Sequence, residues 1–218
     1  RAVLLAGVPG EAARLEAEGL CAALGLRVVG TIFPDLDFRR SPEMREASAV
    51  LWVDPVGWET IGDGPFLRRG LAVVRHHPPF GLAGTQAWLE RVASTLGLAG
   101  SEPAFARALE ARRPALDALR SECAGRTVAL IGDAADIELL AARRQAFGFS
   151  VAGLLGELGL RMRCLVYAPG KGEAKALRRE RRPSGAGTIE FIPFTTRAGL
   201  ERELDRGLDL VFSHLNHD

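Results

Sequence analysis

Residues Pro79 to Leu96 read P-F-G-L-A-G-T-Q-A-W-L-E-R-V-A-S-T-L, and they join a strand end, a glycine-bearing loop and a helix start within a few positions. Upstream, Leu71 to Val74 has the continuous apolar character of a short buried strand, and Pro78 and Pro79 stop it. Gly81 and Gly84 loosen the backbone, and Thr85 is placed to N-cap a helix carrying Trp88, Leu89, Val92 and Leu96 at helical spacing. This predicts a loop, Pro79, Phe80, Gly81, Gly84 and Thr85, at the carboxyl end of a parallel strand. In open α/β sheets ligands bind at that end, where loop atoms and amide-rich helix starts converge.

Outward from this stretch, strand and helix signals alternate in two series. The first predicts strands at Ala2–Ala6, Leu26–Phe33, Ala49–Val53 and Leu71–Val74, with a helix from about Gly10 to Leu24, a short helix from Ser41-Pro42-Glu43 and another through Phe66 and Leu67. The second predicts strands at Thr127–Ile131, Ser150–Leu155, Thr188–Ile192 and Asp209–Phe212. Its helices carry Ile137 to Phe147, run from Glu173 to Arg182, and follow a Thr195 or Thr196 cap. A helical segment from Glu102 to Ala124 lies between them, and Pro114 is expected to break it. Alternation of this kind predicts α/β architecture: two doubly wound, Rossmann-like parallel-sheet domains joined by the helical segment, residues 1–100 and 101–218.

The 218 residues are 47% hydrophobic and 25% charged, enough for two cores. Lysine plus arginine (28) balance aspartate plus glutamate (27), so net charge gives no reason to expect a nucleic acid or a membrane as partner. No apolar run approaches the roughly 18 residues that span a bilayer, and the first residues do not form a leader, so the expected location is cytoplasmic. The chain opens directly on a strand at Arg1, and a fragment of something longer is expected. Cys21, Cys123 and Cys164 are widely spaced without a C-x-x-C pair, which encodes neither a disulfide framework nor a zinc knuckle. They read as small buried hydrophobes.

The chemistry-bearing candidates gather at strand ends. Asp54 follows the third strand, where a carboxylate serves as proton donor or metal ligand, or simply forms a turn or caps a helix. Asp133, after Gly132, has the same ambiguity. His76 and His77 follow the fourth strand, while His214 and His217 follow the last. Imidazoles titrate in the physiological range, so these positions fit proton transfer or metal binding across a cleft between the domains; neighbours on an extended chain, however, point to opposite faces. Gly7-Val-Pro-Gly10 after the first strand could cradle a phosphate, but it lacks the G-x-G-x-x-G spacing and any P-loop lysine. The basic stretch Arg161 to Arg182 fits an acidic partner or a solvated helix face. Trp88 reads as core, and Trp52 and Trp58 flank Asp54 as core or cleft lining.

P-F-G-L-A-G-T-Q-A-W-L (Pro79 to Leu89) followed by A-S-T-L-G (Ala93 to Gly97) resembles a segment of the nitrogenase component 1 type oxidoreductases. R-P-A-L-D-A-L (Arg113 to Leu119), G-R-T-V-A-L-I-G-D (Gly125 to Asp133) and L-D-L-V-F-S (Leu208 to Ser213) follow in that family's order. The wording is most similar to subunits of dark-operative protochlorophyllide and chlorophyllide reductases, and the resemblance covers the middle and C-terminal domains. It implies a fragment of a nitrogenase-like oxidoreductase subunit that forms part of an interdomain substrate or metallocluster cleft. Electrons would come from an ATP-dependent iron–sulfur reductase. It also implies pairing with a homologous subunit as a dimer or heterotetramer, and an iron–sulfur cluster in the full-length protein or partner subunit, with none expected in this fragment alone. Where catalytic subunits of nitrogenase carry a cysteine ligand for the metallocluster, this chain has Asp54, a hard carboxylate in place of a soft thiolate. Asp54, His76 and His77 are then the candidate catalytic residues, and Pro79 to Thr85 the cofactor-binding wall. The alternative is a metal or metal-chelate binding protein of two α/β domains with His76, His77 and His214 as ligands.

Overall fold

The computed structural model describes residues 1–34, 36, 41–55, 57–58, 60–141, 151–170, 182–184 and 187–213. The chain divides into two compact units, Arg1–Arg113 and Pro114–Asp218. Each is built on one sheet.

In the first unit, β1 (Ala2–Ala6), α1 (Glu11–Ala23), β2 (Arg27–Ile32), α2 (Ser41–Met44), β3 (Ala49–Trp52), α3 (Gly64–Leu67), β4 (Ala72–Val74) and α4 (Gly81–Leu96) follow in order. The four strands are parallel in the spatial order β2-β1-β3-β4. A-V-L-L-A and A-V-L-W are apolar at every position because helices cover both faces of a parallel sheet. Val3, Leu5, Leu51 and Val53 pack against Cys21 and Leu24 from α1 and its end, and against Trp88, Leu89, Val92 and Leu96 of α4. On the opposite face Leu4, Ala6, Val50 and Trp52 form a second core with Met44 and Phe66 from α2 and α3. Gly97 ends α4 in the left-handed conformation (φ 59°) that a Cβ would disfavour.

The second unit follows α5 (Ser101–Cys123) with β5 (Thr127–Asp133), α6 (Ala134–Ala141), α7 (Val151–Glu157), β6 (Arg161–Tyr167), β7 (Arg182–Ser184), β8 (Gly187–Phe194), α8 (Arg197–Leu204) and β9 (Leu210–Ser213). Its sheet has the order β7-β8-β6-β5-β9, with β7 antiparallel to β8 and all other pairs parallel. Both units are therefore open α/β sheets flanked by helices, the architecture that the strand–helix alternation predicts. Thr196 caps α8, its Oγ1 accepting from the Gly199 amide at 3.1 Å.

Several local expectations are corrected. Helix α4 begins at Gly81 with Phe80 as its N-cap, so Thr85 sits inside the helix and donates its hydroxyl proton to the Pro79 carbonyl at 3.0 Å. Pro114 does not break α5, which is continuous from Ser101 to Cys123. The lost amide donor faces an exposed stretch rich in alanine, leucine and arginine, all strong helix formers. Val151–Glu157 is a helix where the apolar run predicted a strand; its Ala152 and Gly156, four apart, are buried together. The central strand β6 lies within the stretch read as a basic helix face. Its Met162, Cys164 and Val166 enter one core and Leu165 the other, while Arg163 is held by Glu203 at 2.7 Å and Glu190 at 3.4 Å. Arg182 opens β7, and the rest of the expected Glu173–Arg182 helix lies outside the described residues.

A proline inside a helix removes one backbone hydrogen bond and crowds the preceding turn. Pro114→Ala is expected to raise the free energy of unfolding by about 1–3 kcal/mol, read as a higher urea midpoint. An unchanged or lower midpoint would contradict an unbroken α5.

Candidate functional site at the carboxyl edge of the first sheet

The chain leaves β1 to build β2 on one side, then crosses to lay β3 on the other side of β1. The gap beyond the β1 and β3 carboxyl ends is a topological switch point, where neighbouring connections diverge and leave a crevice. Pairing continues past both strands: the Val53 amide donates to the Ala6 carbonyl at 2.8 Å and the Asp54 amide to the Gly7 carbonyl at 3.0 Å. Gly7 has φ +64°, and a Cβ built on it would lie 1.9 Å from the Asp54 carbonyl oxygen and 3.2 Å from Trp52 Cε3. Only glycine meets both the conformation and the approach. The Gly7 and Val8 amides are spent on the carbonyls of Ile32 (3.2 Å) and Phe33 (3.1 Å), so Gly7-Val-Pro-Gly10 is a strand-to-helix turn whose first two donors are not open to a phosphate.

Asp54 is half-buried beyond β3. The register of β3 and β4 ends with Leu51 paired to Val74, so Asp54 and His77 each lie three residues beyond the last pair. His76 is half-buried and His77 exposed. Their rings meet edge to face with centroids 5.3 Å apart, and His76 Nδ1 lies 3.3 Å from the His77 carbonyl. Burial pushes the His76 imidazole below its ordinary 6.5; the His77 carbonyl opposes this, and the His77 and Arg91 charges reinforce it. Next along the chain, Pro79 is half-buried and Phe80 is exposed. Gly81 (φ 66°) opens α4, and at Gly84 a Cβ would meet the Pro78 carbonyl oxygen at 3.3 Å. One sheet edge thus carries Asp54, His76, His77 and the start of α4. In the second unit, Asp133 accepts from the Asp136 amide at 2.8 Å and so caps α6. His214 and His217 lie outside the described residues.

The strand-end rule applied to β4 would also have found Arg75, which sequence reasoning passed over for the histidines beside it. Its guanidinium carbon sits 4.0 Å from the centroid of the Trp52 ring. Its Nε and Nη2 donate to Asp63 Oδ1 (3.2 and 3.0 Å), and Nη2 also donates to the Ile61 carbonyl (2.7 Å). Phe33, at φ 60°, stacks on Trp52 with centroids 5.9 Å apart and planes 7° from parallel, and Trp58 leans on Phe33 at 5.2 Å. Trp88 reaches through from α4, its indole N–H donating to the Trp52 carbonyl at 2.9 Å.

Cys21 and Cys164 do not suit an iron–sulfur cluster, while Cys123, expected as a buried filler, is only half-buried against the second core. Burial pushes the Cys21 and Cys164 thiols up to about 12, where the thiolate that ligates iron is disfavoured, and each belongs to the core of a different sheet. Among the described residues no group of three or more His, Cys, Asp or Glu side chains is arranged to hold a metal ion. None of their helices is long and apolar enough to cross a membrane.

Two measurements check this geometry. Gly7→Ala is expected to cost about 3 kcal/mol or more of folding stability, whereas Gly19→Ala, in α1 with nothing within 4 Å of the added Cβ, should gain about 0.5–1 kcal/mol. Equal urea midpoints for the two variants would contradict the close approach. The His76 imidazole should titrate by NMR below 6.5. Because its folded value is depressed, the unfolded chain takes up this proton first as pH falls. His76 then subtracts stability progressively below about 6.5 and not above it. A midpoint at or above 6.5 would contradict its half-buried setting.

The family model of nitrogenase component 1 type oxidoreductases matches residues 2–180. No curated protein matches. Among solved structures, "Nitrogenase Cp1 at pH 5" is similar at a TM-score of 0.44 and 12% identity, over 97% of this chain and 47% of that one. An ABC transporter substrate-binding protein from Listeria monocytogenes EGD-e is similar at a TM-score of 0.38 and 12% identity, over 97% of this chain and 88% of that one. Likenesses at this level do not bear on what the chain binds. The chain spans less than half the length of the nitrogenase chain it matches. From the match over residues 2–180, the chain belongs to the nitrogenase component 1 type oxidoreductase family.

Proposed function

We propose that this chain is the part of a nitrogenase-like oxidoreductase subunit whose first-sheet carboxyl edge forms one wall of a substrate or metallocluster cleft. The observation that carries the reading is the β1/β3 switch point. There Gly7 and Asp54 run side by side, on an edge that also bears His76, His77 and the Pro79–Thr85 helix start. Each electron pair delivered to a substrate by an ATP-dependent iron–sulfur reductase must be matched by protons. Asp54, His76 and His77 are the groups on this edge with the chemistry to supply them. A depressed His76 is neutral at pH 7 and suited to relaying a proton rather than holding a charge. Gly81, Gly84 and Thr85 let Pro79 and Phe80 turn sharply into α4, which leaves the exposed Phe80 ring as apolar wall.

A cluster in the parent protein or its homologous partner subunit takes its thiolates from outside these residues, given the buried thiols of Cys21 and Cys164. A carboxylate at Asp54, a poor ligand for a soft metallocluster, favours the subtype closest to protochlorophyllide and chlorophyllide reductase subunits.

With the full-length protein reconstituted with its reductase, Asp54→Asn should lower turnover about a hundredfold or more while leaving the iron–sulfur absorption unchanged. Wild-type turnover in Asp54→Asn would remove the proton-donor role. Absence of any iron–sulfur absorption from the reconstituted wild-type system would remove the oxidoreductase reading as a whole.

A further inference from the structure

β9 (Leu210–Ser213) closes one side of the second sheet, paired to β5 with no strand beyond it among the described residues. Leu210, Val211 and Phe212 are 43%, 49% and 53% exposed, although Leu210 and Phe212 continue the face of the buried Val128 and Leu130, and Val211 that of the buried Ala129. Apolar side chains are thus uncovered on both faces of one edge. The backbone there is also unspent. The Arg161 amide donates to the Arg126 carbonyl, so Arg126, Val128 and Leu130 turn their peptide groups to β6, and the alternate residues Thr127, Ala129 and Ile131 turn theirs to β9. With Ala129 in register with Val211, it is then Leu210 and Phe212 that bond β5, and the Val211 N–H and C=O face outward. The far side of this sheet is blunted, since β7 carries Arg182 and Pro183, a charge and a residue with no amide donor. β9 carries neither.

We infer that this edge pairs with the same edge of a second copy of the chain, β9 antiparallel to β9 about a twofold axis through Val211. In that register Val211 exchanges two backbone hydrogen bonds with the partner's Val211, and Leu210 lies opposite the partner's Phe212 at the non-hydrogen-bonded position, where side chains stand closest. A second copy is favoured over an unrelated strand because the edge is its own complement. Its outward donor and acceptor belong to one residue, so an identical strand satisfies both, and apolar side chains meet apolar side chains on both faces. Charge agrees with this. Asp209 is the one charged residue between Leu208 and Ser213; its carboxylate accepts from the Thr127 amide, and in this register it stands opposite the neutral Ser213 of the partner subunit. With a net charge of +1, two copies have little cause to repel. Two four-residue strands bury less than the roughly 1,200 Å² of a standard interface, which sets the pairing in the weak, reversible class, with a dissociation constant of about 10–100 μM. The inference does not depend on the oxidoreductase reading.

Sedimentation velocity of the 218-residue chain over about 5–300 μM is expected to show a monomer–dimer equilibrium. Val211→Pro removes the outward donor and leaves the β5 ladder intact, because that amide does not face β5. Phe212→Lys sets a charge on the pairing face. Each should weaken association about tenfold or more, and the half-exposed Phe212 site carries the test if Val211→Pro does not fold. Leu67→Lys, at a comparably exposed apolar site in the first unit, should leave association unchanged. The Val211 amide should exchange with solvent slowly only where the dimer forms. A chain that stays monomeric throughout, association that the edge variants retain, association that Leu67→Lys weakens equally, or a Val211 amide with one exchange rate in monomer and dimer would each overturn the proposal.

Discussion

The first sheet depends on one close contact, the approach of the Gly7 backbone to that of Asp54. Every other feature of the carboxyl edge is hung from it. With a side chain at Gly7, β1 and β3 could not stay paired one residue beyond their strands, since a Cβ would fall 1.9 Å from the Asp54 carbonyl oxygen. Beside this contact lies Trp52, whose carbonyl receives the Trp88 indole from α4 and whose ring carries Arg75, just beyond β4, and stacks with Phe33 beyond β2. All four strand ends of the sheet are thereby tied to one buried tryptophan. Folding energy and site geometry are inseparable at this point.

Among the described residues both imidazoles lie on this edge, and none on its counterpart in the second unit. In the second sheet Asp133 ends β5 as a helix cap, its Oδ1 accepting from the Asp136 amide. In the first sheet the residues after β4 are a cation, two imidazoles and two prolines, and the prolines stop the strand before those side chains can be paired into a sheet. Cys21 and Cys164, the groups that a metallocluster would prefer, are instead spent as small apolar fillers in the cores.

Much of this was legible in the sequence. Apolar runs of four or five residues bounded by glycine and proline located β1, β3, β4 and β5, and the threonine pair Thr195 and Thr196 announced a helix start, of which Thr196 is the cap. The misreadings have physical causes. β6 was hidden because Arg161 and Arg163 alternate with Met162 and Cys164. A buried strand carries charge only when partners such as Glu203 and Glu190 are supplied from elsewhere in the chain, and local sequence does not show them. Val151–Glu157 is too short for periodicity to separate helix from strand. Thr85 looked like a cap because threonine favours that role, but Phe80 in extended conformation leaves Gly81 free to start the helix five residues earlier. Asp54, His76 and His77 could be placed on one edge from the strand ends alone. Arg75 and its tryptophan could not be joined, since nothing local marks a contact between side chains on different strands.

The central claim is that β1 and β3 remain locked beyond their last strand residues, so that the carboxyl edge is a pre-formed platform and not a loose loop. Native-state amide hydrogen exchange of the Asp54 N–H, which donates to the Gly7 carbonyl, tests this most directly. The account predicts that Asp54 exchanges as slowly as Val50 and Leu51 in the strand interior, through opening of the whole sheet. An Asp54 amide that exchanges at the rate of an unstructured loop would contradict it.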